Sequence, residues 1–103
     1  MYVVVRADIC GGYQVAQSCH AAIQYVMDHP EQSRIWHETS DYIVVLNIEN
    51  EEKLKELMQK AIEKKINFSS YKEPDLENQY TAVAFEPSKK SKSLCRGLKL
   101  ALS

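Results

Sequence analysis

Two short apolar runs limit the architectures open to this chain of 103 residues. Tyr2-Val3-Val4-Val5 and Tyr42-Ile43-Val44-Val45-Leu46 are rich in β-branched residues and do not alternate with polar ones. A strand with one wet face alternates, whereas a run that is apolar throughout reads as a strand covered on both faces. Neither run approaches the ~20 residues that span a bilayer. Such strands need helices on both sides, and the chain supplies helical patterns around them. Gly11-Gly12 breaks the first run, and a helix is expected from near Gln14 until before Pro30, because the residue before proline is pushed out of the α region. Val15, Cys19, Ala22 and Val26, with Ala16, Ile23 and Met27 beside them, give this helix a broad apolar face.

A short helix over Gln32–Glu38 follows, with Ile35 and Trp36 as its buried side. Asn50-Glu51-Glu52 is a helix start, a capping side chain followed by acids that favour the positive end of the dipole. Leu54, Leu57, Met58, Ala61 and Ile62 make the apolar stripe of that helix, and Lys64-Lys65 closes its last turn. Ile66 to Tyr71 reads as a weaker strand, Lys72 to Asn78 as a loop marked by Pro74, and Thr81 to Phe85 as the fourth strand. Ser88 to Ser103 reads as a short helix and an extended tail. The order β-α-α-β-α-β-β-α predicts an α/β fold: one domain over residues 1–103, three layers α-β-α, with a small mixed four-stranded sheet.

Composition excludes several classes. The hydrophobic share of 45% and charged share of 26% are those of an ordinary globular chain. The apolar run after Met1 is broken by Arg6 and Asp8, so no targeting segment is read and a cytoplasmic location with no membrane partner is expected. Cys10, Cys19 and Cys95 are odd in number and lack Cys-x-x-Cys spacing, which fits free thiols. No His-Glu-x-x-His, phosphate-binding glycine loop or Gly-x-Ser-x-Gly occurs, so neither metal nor cofactor is expected. The net charge of −1 hides an asymmetry: residues 28–77 carry twelve acids and seven bases, whereas residues 78–103 carry Glu86 against Lys89, Lys90, Lys92, Arg96 and Lys99. A basic end of this kind is either a footprint for phosphate or a solvated lysine-rich surface.

The chemistry-bearing residues gather after the first strand and in the first helix: Arg6, Asp8, Gln17, Ser18 and His20. In open α/β sheets ligands bind beyond the carboxyl ends of strands. His20 is a candidate general base or ribose ligand, against the competing reading of a half-buried imidazole bonded to a carbonyl. Cys10 is a candidate thiolate at the head of a helix. Lys72-Glu73-Pro74-Asp75 opens an acidic loop whose paired carboxylates could position a water, or simply keep the surface solvated.

Val3-Val4-Val5-Arg6-Ala7-Asp8 followed by Val15-Ala16-Gln17-Ser18-Cys19-His20-Ala21-Ala22 resembles the type II peptidyl-tRNA hydrolases, with their Arg-x-Asp strand end and Ala-Gln-x-x-His-Ala helix. Trp36-His37-Glu38-Thr39, Glu51-Glu52-Lys53-Leu54, Thr81-Ala82-Val83-Ala84-Phe85-Glu86-Pro87 and Leu98-Lys99-Leu100 resemble further family segments, so the likeness runs through essentially the whole chain. It implies cleavage of the ester between a peptide and the tRNA 3′ ribose, with tRNA as partner and a homodimer as the assembly; the alternative is a non-catalytic module that holds tRNA or another partner. The implied catalytic residues are His20, Asp8 and either Glu73 or Asp75. The implied RNA-binding residues are Arg6, Gln17, Lys72, Thr81, Lys89, Lys90 and Lys92. Two departures stand out. The family's turn lysines fall on Gly11 and Tyr13, and Lys72-Glu73-Pro74-Asp75 replaces the family's Asp-Ala-Gly-x-Thr-Gln loop, a pattern resembling a compact bacterial and phage subgroup.

Overall fold

The computed structural model describes residues 1–103. Strands β1 (Tyr2–Arg6), β2 (Val44–Ile48), β3 (Phe68–Glu73) and β4 (Gln79–Phe85) form one sheet in the order β2-β1-β4-β3. The β1–β2 pair is parallel; β1–β4 and β3–β4 are antiparallel. Helices α1 (Gly11–Asp28) and α2 (Pro30–Thr39) lie on one side, and α3 (Glu51–Glu63) and α4 (Lys89–Leu94) on the other. This is the mixed α/β sheet that the apolar runs require. No helix is long and apolar enough to cross a membrane.

Strand alternation separates two cores. Tyr2, Val4, Val83 and Phe85 meet Leu54, Leu57, Met58 and Ala61 of α3. Val3, Val5, Ala82 and Ala84 meet Ala21 and Tyr25 of α1 and Trp36 of α2. The α3 stripe follows the expected spacing except at Ile62, which is exposed. Asn50 caps that helix, its side chain accepting the Lys53 N–H at 3.0 Å. Beyond α4 the tail runs antiparallel along the outer edge of β2, with Asn47 N–H donating to Lys99 O and Ala101 N–H to Val45 O. That pairing covers an edge that would otherwise be free to template other strands.

Helix α1 departs from the apolar-face reading. Its buried residues are Gln14, Gln17, Ser18, Ala21 and Tyr25, while Val15, Ile23, Val26 and Met27 are exposed. Burying polar side chains is tolerable when their groups find partners, and most here do: the Gln14 amide N–H donates to Ile9 O at 2.8 Å and the Ser18 hydroxyl to Gln14 O at 2.7 Å, while Gln14 Oε1 is buried without one. In α2, Trp36 is buried as expected, but Ile35 is exposed. The strand β3 also runs two residues further than the pattern indicates, so Lys72 and Glu73 are strand residues with opposite-facing side chains.

Candidate active site

The carboxyl end of β1 divides the expected site residues between two sides of the sheet. On the α3 side, the Arg6 guanidinium donates from Nε and Nη2 to both Asp8 carboxylate oxygens at 2.9 and 3.0 Å. Its Nη1 donates to Gln79 Oε1 at 2.9 Å and Tyr80 O at 3.2 Å. Four of the five N–H donors of an arginine are therefore committed. These hydrogen bonds hold the Asp8 carboxyl below its ordinary pKa, which makes it a weaker base. Glu51 of α3 accepts the Tyr80 N–H at 2.8 Å, adding a second acid beside the guanidinium. Lys72 lies on this side too, with Nζ 4.8 Å from the centre of the Tyr80 ring.

On the α1 side, Gln17 is the hub. It is 1% exposed. Its Nε2 donates to Glu73 Oε1 at 2.8 Å, and its Oε1 accepts from the Thr81 hydroxyl at 2.6 Å. Both ends of the amide are assigned, so only one orientation satisfies the network. Glu73 Oε2 also faces the Asp75 N–H at 3.4 Å. Thr81 reaches this side through a β-bulge. Tyr71 pairs with Ala82 and Lys72 with Tyr80, leaving Thr81 as the extra residue of β4. Simple alternation would have turned Thr81 toward α3 with Val83 and Phe85; the bulge re-aims it toward α1.

His20 lies three residues beyond Gln17 on the same helix, the spacing at which side chains are neighbours. It is exposed, which excludes the half-buried reading. Its ring lies parallel to that of Tyr71, with centroids 4.4 Å apart and planes 9° apart. Tyr71 and Glu73 alternate onto the same face of β3. The helix and the strand run antiparallel, so Gln17 meets Glu73, His20 meets Tyr71, and Asp28 accepts from the Ser69 hydroxyl at 2.7 Å. The result is an exposed imidazole fixed by an aromatic plane, beside a buried carboxylate held by two neutral donors. Such a pair can hold and deprotonate a water.

The remaining expected residues stand apart. Asp75 is exposed in the 3₁₀ turn Pro74–Leu76 and reaches Glu73 through its backbone. Lys89, Lys90 and Lys92 lie in α4, after the end of β4 that pairs with Tyr2. Lys90 Nζ faces Lys64 O at 3.5 Å, near the last turn of α3. These lysines are thus at the opposite end of the sheet from Arg6. Cys10 stands exposed at the head of α1, where it makes no side-chain capping bond. No group of three His, Cys, Asp or Glu side chains is placed to hold a metal ion. Tyr71, Gln79 and Glu51 were not singled out from the sequence. Tyr71 was legible as the residue two before Glu73; the contacts of Gln79 and Glu51 depend on the tertiary fold.

A family model described as Peptidyl-tRNA hydrolase PTH2 matches residues 1–101. No curated protein matches the chain.

Proposed function

The chain belongs to the peptidyl-tRNA hydrolase PTH2 family, and we propose that it cleaves the ester between peptide and tRNA 3′ ribose at the α1–β3 face just described. The observation that carries this reading is the buried Thr81–Gln17–Glu73 chain beside the exposed, ring-stacked His20. In this mechanism His20 takes the proton of the attacking water. Glu73, oriented by Gln17 and the Asp75 N–H, accepts a second hydrogen bond from that water or from the imidazolium that forms. Preorganised partners of this kind cost no reorganisation at the moment of reaction. Arg6 and Asp8 act as a clamp that ties the end of β1 to the start of β4, and Asp8 is not the base. Lys89, Lys90 and Lys92 grip tRNA phosphates away from the ester, and the protein works in the cytoplasm as a homodimer.

The alternative reading, a family-shaped module that holds tRNA without turnover, is favoured by one observation. Between Arg6 and Arg34 the chain has no lysine or arginine, and Arg6 is committed to Asp8, Gln79 and Tyr80. No cation from α1 or the turn before it is available to stabilise the oxyanion. Release of free tRNA from a purified peptidyl-tRNA separates the two readings: catalytic release above the spontaneous rate supports the hydrolase, and salt-sensitive binding without release supports the module.

A further inference from the structure

We propose that the open edge of β3 binds the peptide part of the substrate as an added strand, parallel to β3 and with its ester end at Glu73. The sheet ends on β2 at one side and on β3 at the other. The tail covers the β2 edge, and no segment covers the β3 edge. Strand alternation fixes which groups lie open there. Asn67 O accepts the Glu86 N–H at 3.0 Å, and Glu73 O accepts the Asn78 N–H at 3.0 Å. Residues 67, 69, 71 and 73 therefore turn their main-chain groups toward β4. The extra residue of the bulge belongs to β4, which leaves the alternation of β3 intact. Phe68, Ser70 and Lys72 thus turn their N–H and C=O groups outward. A lysine on an edge strand discourages pairing, but the Lys72 ammonium leans back over the Tyr80 ring of β4 and away from the edge.

An uncovered edge is a template for an extended chain. Where this edge leads decides the occupant, given the hydrolytic reading above. The strand with the open edge is the strand that carries Tyr71 and Glu73, which meet His20 and Gln17. A peptide whose ester lies beside His20 and Glu73 has its acyl end at the carboxyl end of β3. Its remainder runs back along the edge toward Phe68, which makes the pairing parallel. Phe68 to Lys72 spans about 13 Å at ~3.3 Å per residue, room for about four peptide residues. The Ser70 N–H then donates to one peptide carbonyl, and Ser70 O accepts the peptide N–H two residues further on. Such bonds engage the main chain and read no side chain. A substrate whose peptide part varies in sequence is held at the same place each time.

The test is an amide-resolved NMR titration of the full chain. The probe is N-acetyl-tetraalanine joined by an amide to the amino group of 3′-amino-3′-deoxyadenosine, a mimic that lacks the cleavable ester. The expected result is saturable shifts at Ser70 and Lys72, with affinity rising from a one-residue to a four-residue peptide and level beyond. N-methylation of each peptide residue in turn should weaken binding about five- to tenfold at alternate residues only. Ser70→Pro removes an outward N–H at an edge position that accepts proline. It should weaken the four-residue probe by about fivefold or more and leave the one-residue probe unchanged. If that variant fails to fold, the N-methyl series still decides. Affinity independent of peptide length, N-methyl effects without alternation, or a wild-type dimer that Ser70→Pro turns to monomer would overturn the proposal, the last by assigning the edge to a second copy. Edge shifts in a chain that releases no tRNA would uphold the docking and remove the hydrolase reading; release without edge shifts would remove the docking alone.

Discussion

The two flanks of α1 reverse the usual rule for an amphipathic helix. One flank, with Tyr13, Gln17 and His20 at spacings of four and three, turns polar groups toward β3 and β4. The other, with Val15, Cys19, Ala22 and Val26, leaves Val15 and Val26 exposed. The polar flank is stable because each buried group is paired. An unpaired amide there would cost about 1–3 kcal/mol, whereas the paired one is close to neutral. The apolar flank leaves on the order of 2 kcal/mol per large side chain unrealised.

The comparison is broken most severely at Gln17. Gln17→Ala leaves a buried Glu73 carboxylate and a buried Thr81 hydroxyl without their partner. We expect a loss of about 2–4 kcal/mol in stability by denaturant unfolding, with peptidyl-tRNA cleavage reduced on the order of a hundredfold or more. A stability change below ~1 kcal/mol would mean the network is not organised as described. Tyr13→Lys sharpens the same flank. It restores a cation one helical turn before Gln17, and one well-placed oxyanion stabiliser is worth on the order of 10²–10³ in rate. Some of that is lost to imperfect placement, so an increase of about tenfold or more is expected in single-turnover cleavage. No increase would mean that another group already fills the role.

On the apolar flank, Val15→Glu combined with Val26→Glu is expected to convert the proposed homodimer to monomer in analytical ultracentrifugation, with stability of the fold nearly unchanged. A wild-type chain that is monomeric at micromolar concentration would remove the dimer from the account. The smallest effect belongs to Asp8. Its folded-state pKa is depressed by the Arg6 hydrogen bonds, so its contribution is present above the ordinary carboxylate value and is lost as pH falls through the lowered one. The Asp8 side chain is 41% exposed, so solvent screening limits the contribution to under ~1 kcal/mol. Asp8→Asn should therefore slightly flatten the acid limb of stability below about pH 4 and leave neutral-pH stability little changed. A loss of several kcal/mol at neutral pH would show that the clamp is central to the fold.

How much of this was legible in the sequence follows from what each element depends on. The strands and α3 were readable because their patterns are local: continuous β-branched runs, an Asn cap and a three-four stripe. The buried face of α1 was not, because Gln14 and Gln17 are buried through partners outside the helix and Ser18 through the Gln14 carbonyl one turn back, none of which a hydropathy period can see. Arg6, Asp8, Gln17 and His20 read from the sequence as one polar group near a strand end, but Arg6 and Asp8 fall on the α3 side and the other two on the α1 side. Of the two acids proposed for the loop, Glu73 meets Gln17 with its side chain while Asp75 offers only its N–H, a distinction set by strand β3 extending through Glu73. Thr81 faces α1 only because of a bulge, and no residue type announces a bulge at Thr81-Ala82.

The most direct test of the central claim, that hydrolysis belongs to the polar flank of α1, compares His20→Ala with Val26→Ala in one peptidyl-tRNA release assay. Both positions are exposed, so neither change should cost the fold more than a few tenths of a kcal/mol. The account predicts that His20→Ala lowers the rate of tRNA release by 10²–10⁴, roughly the contribution of a positioned general base, while Val26→Ala keeps the wild-type rate. Equal release by the wild type and His20→Ala would contradict it.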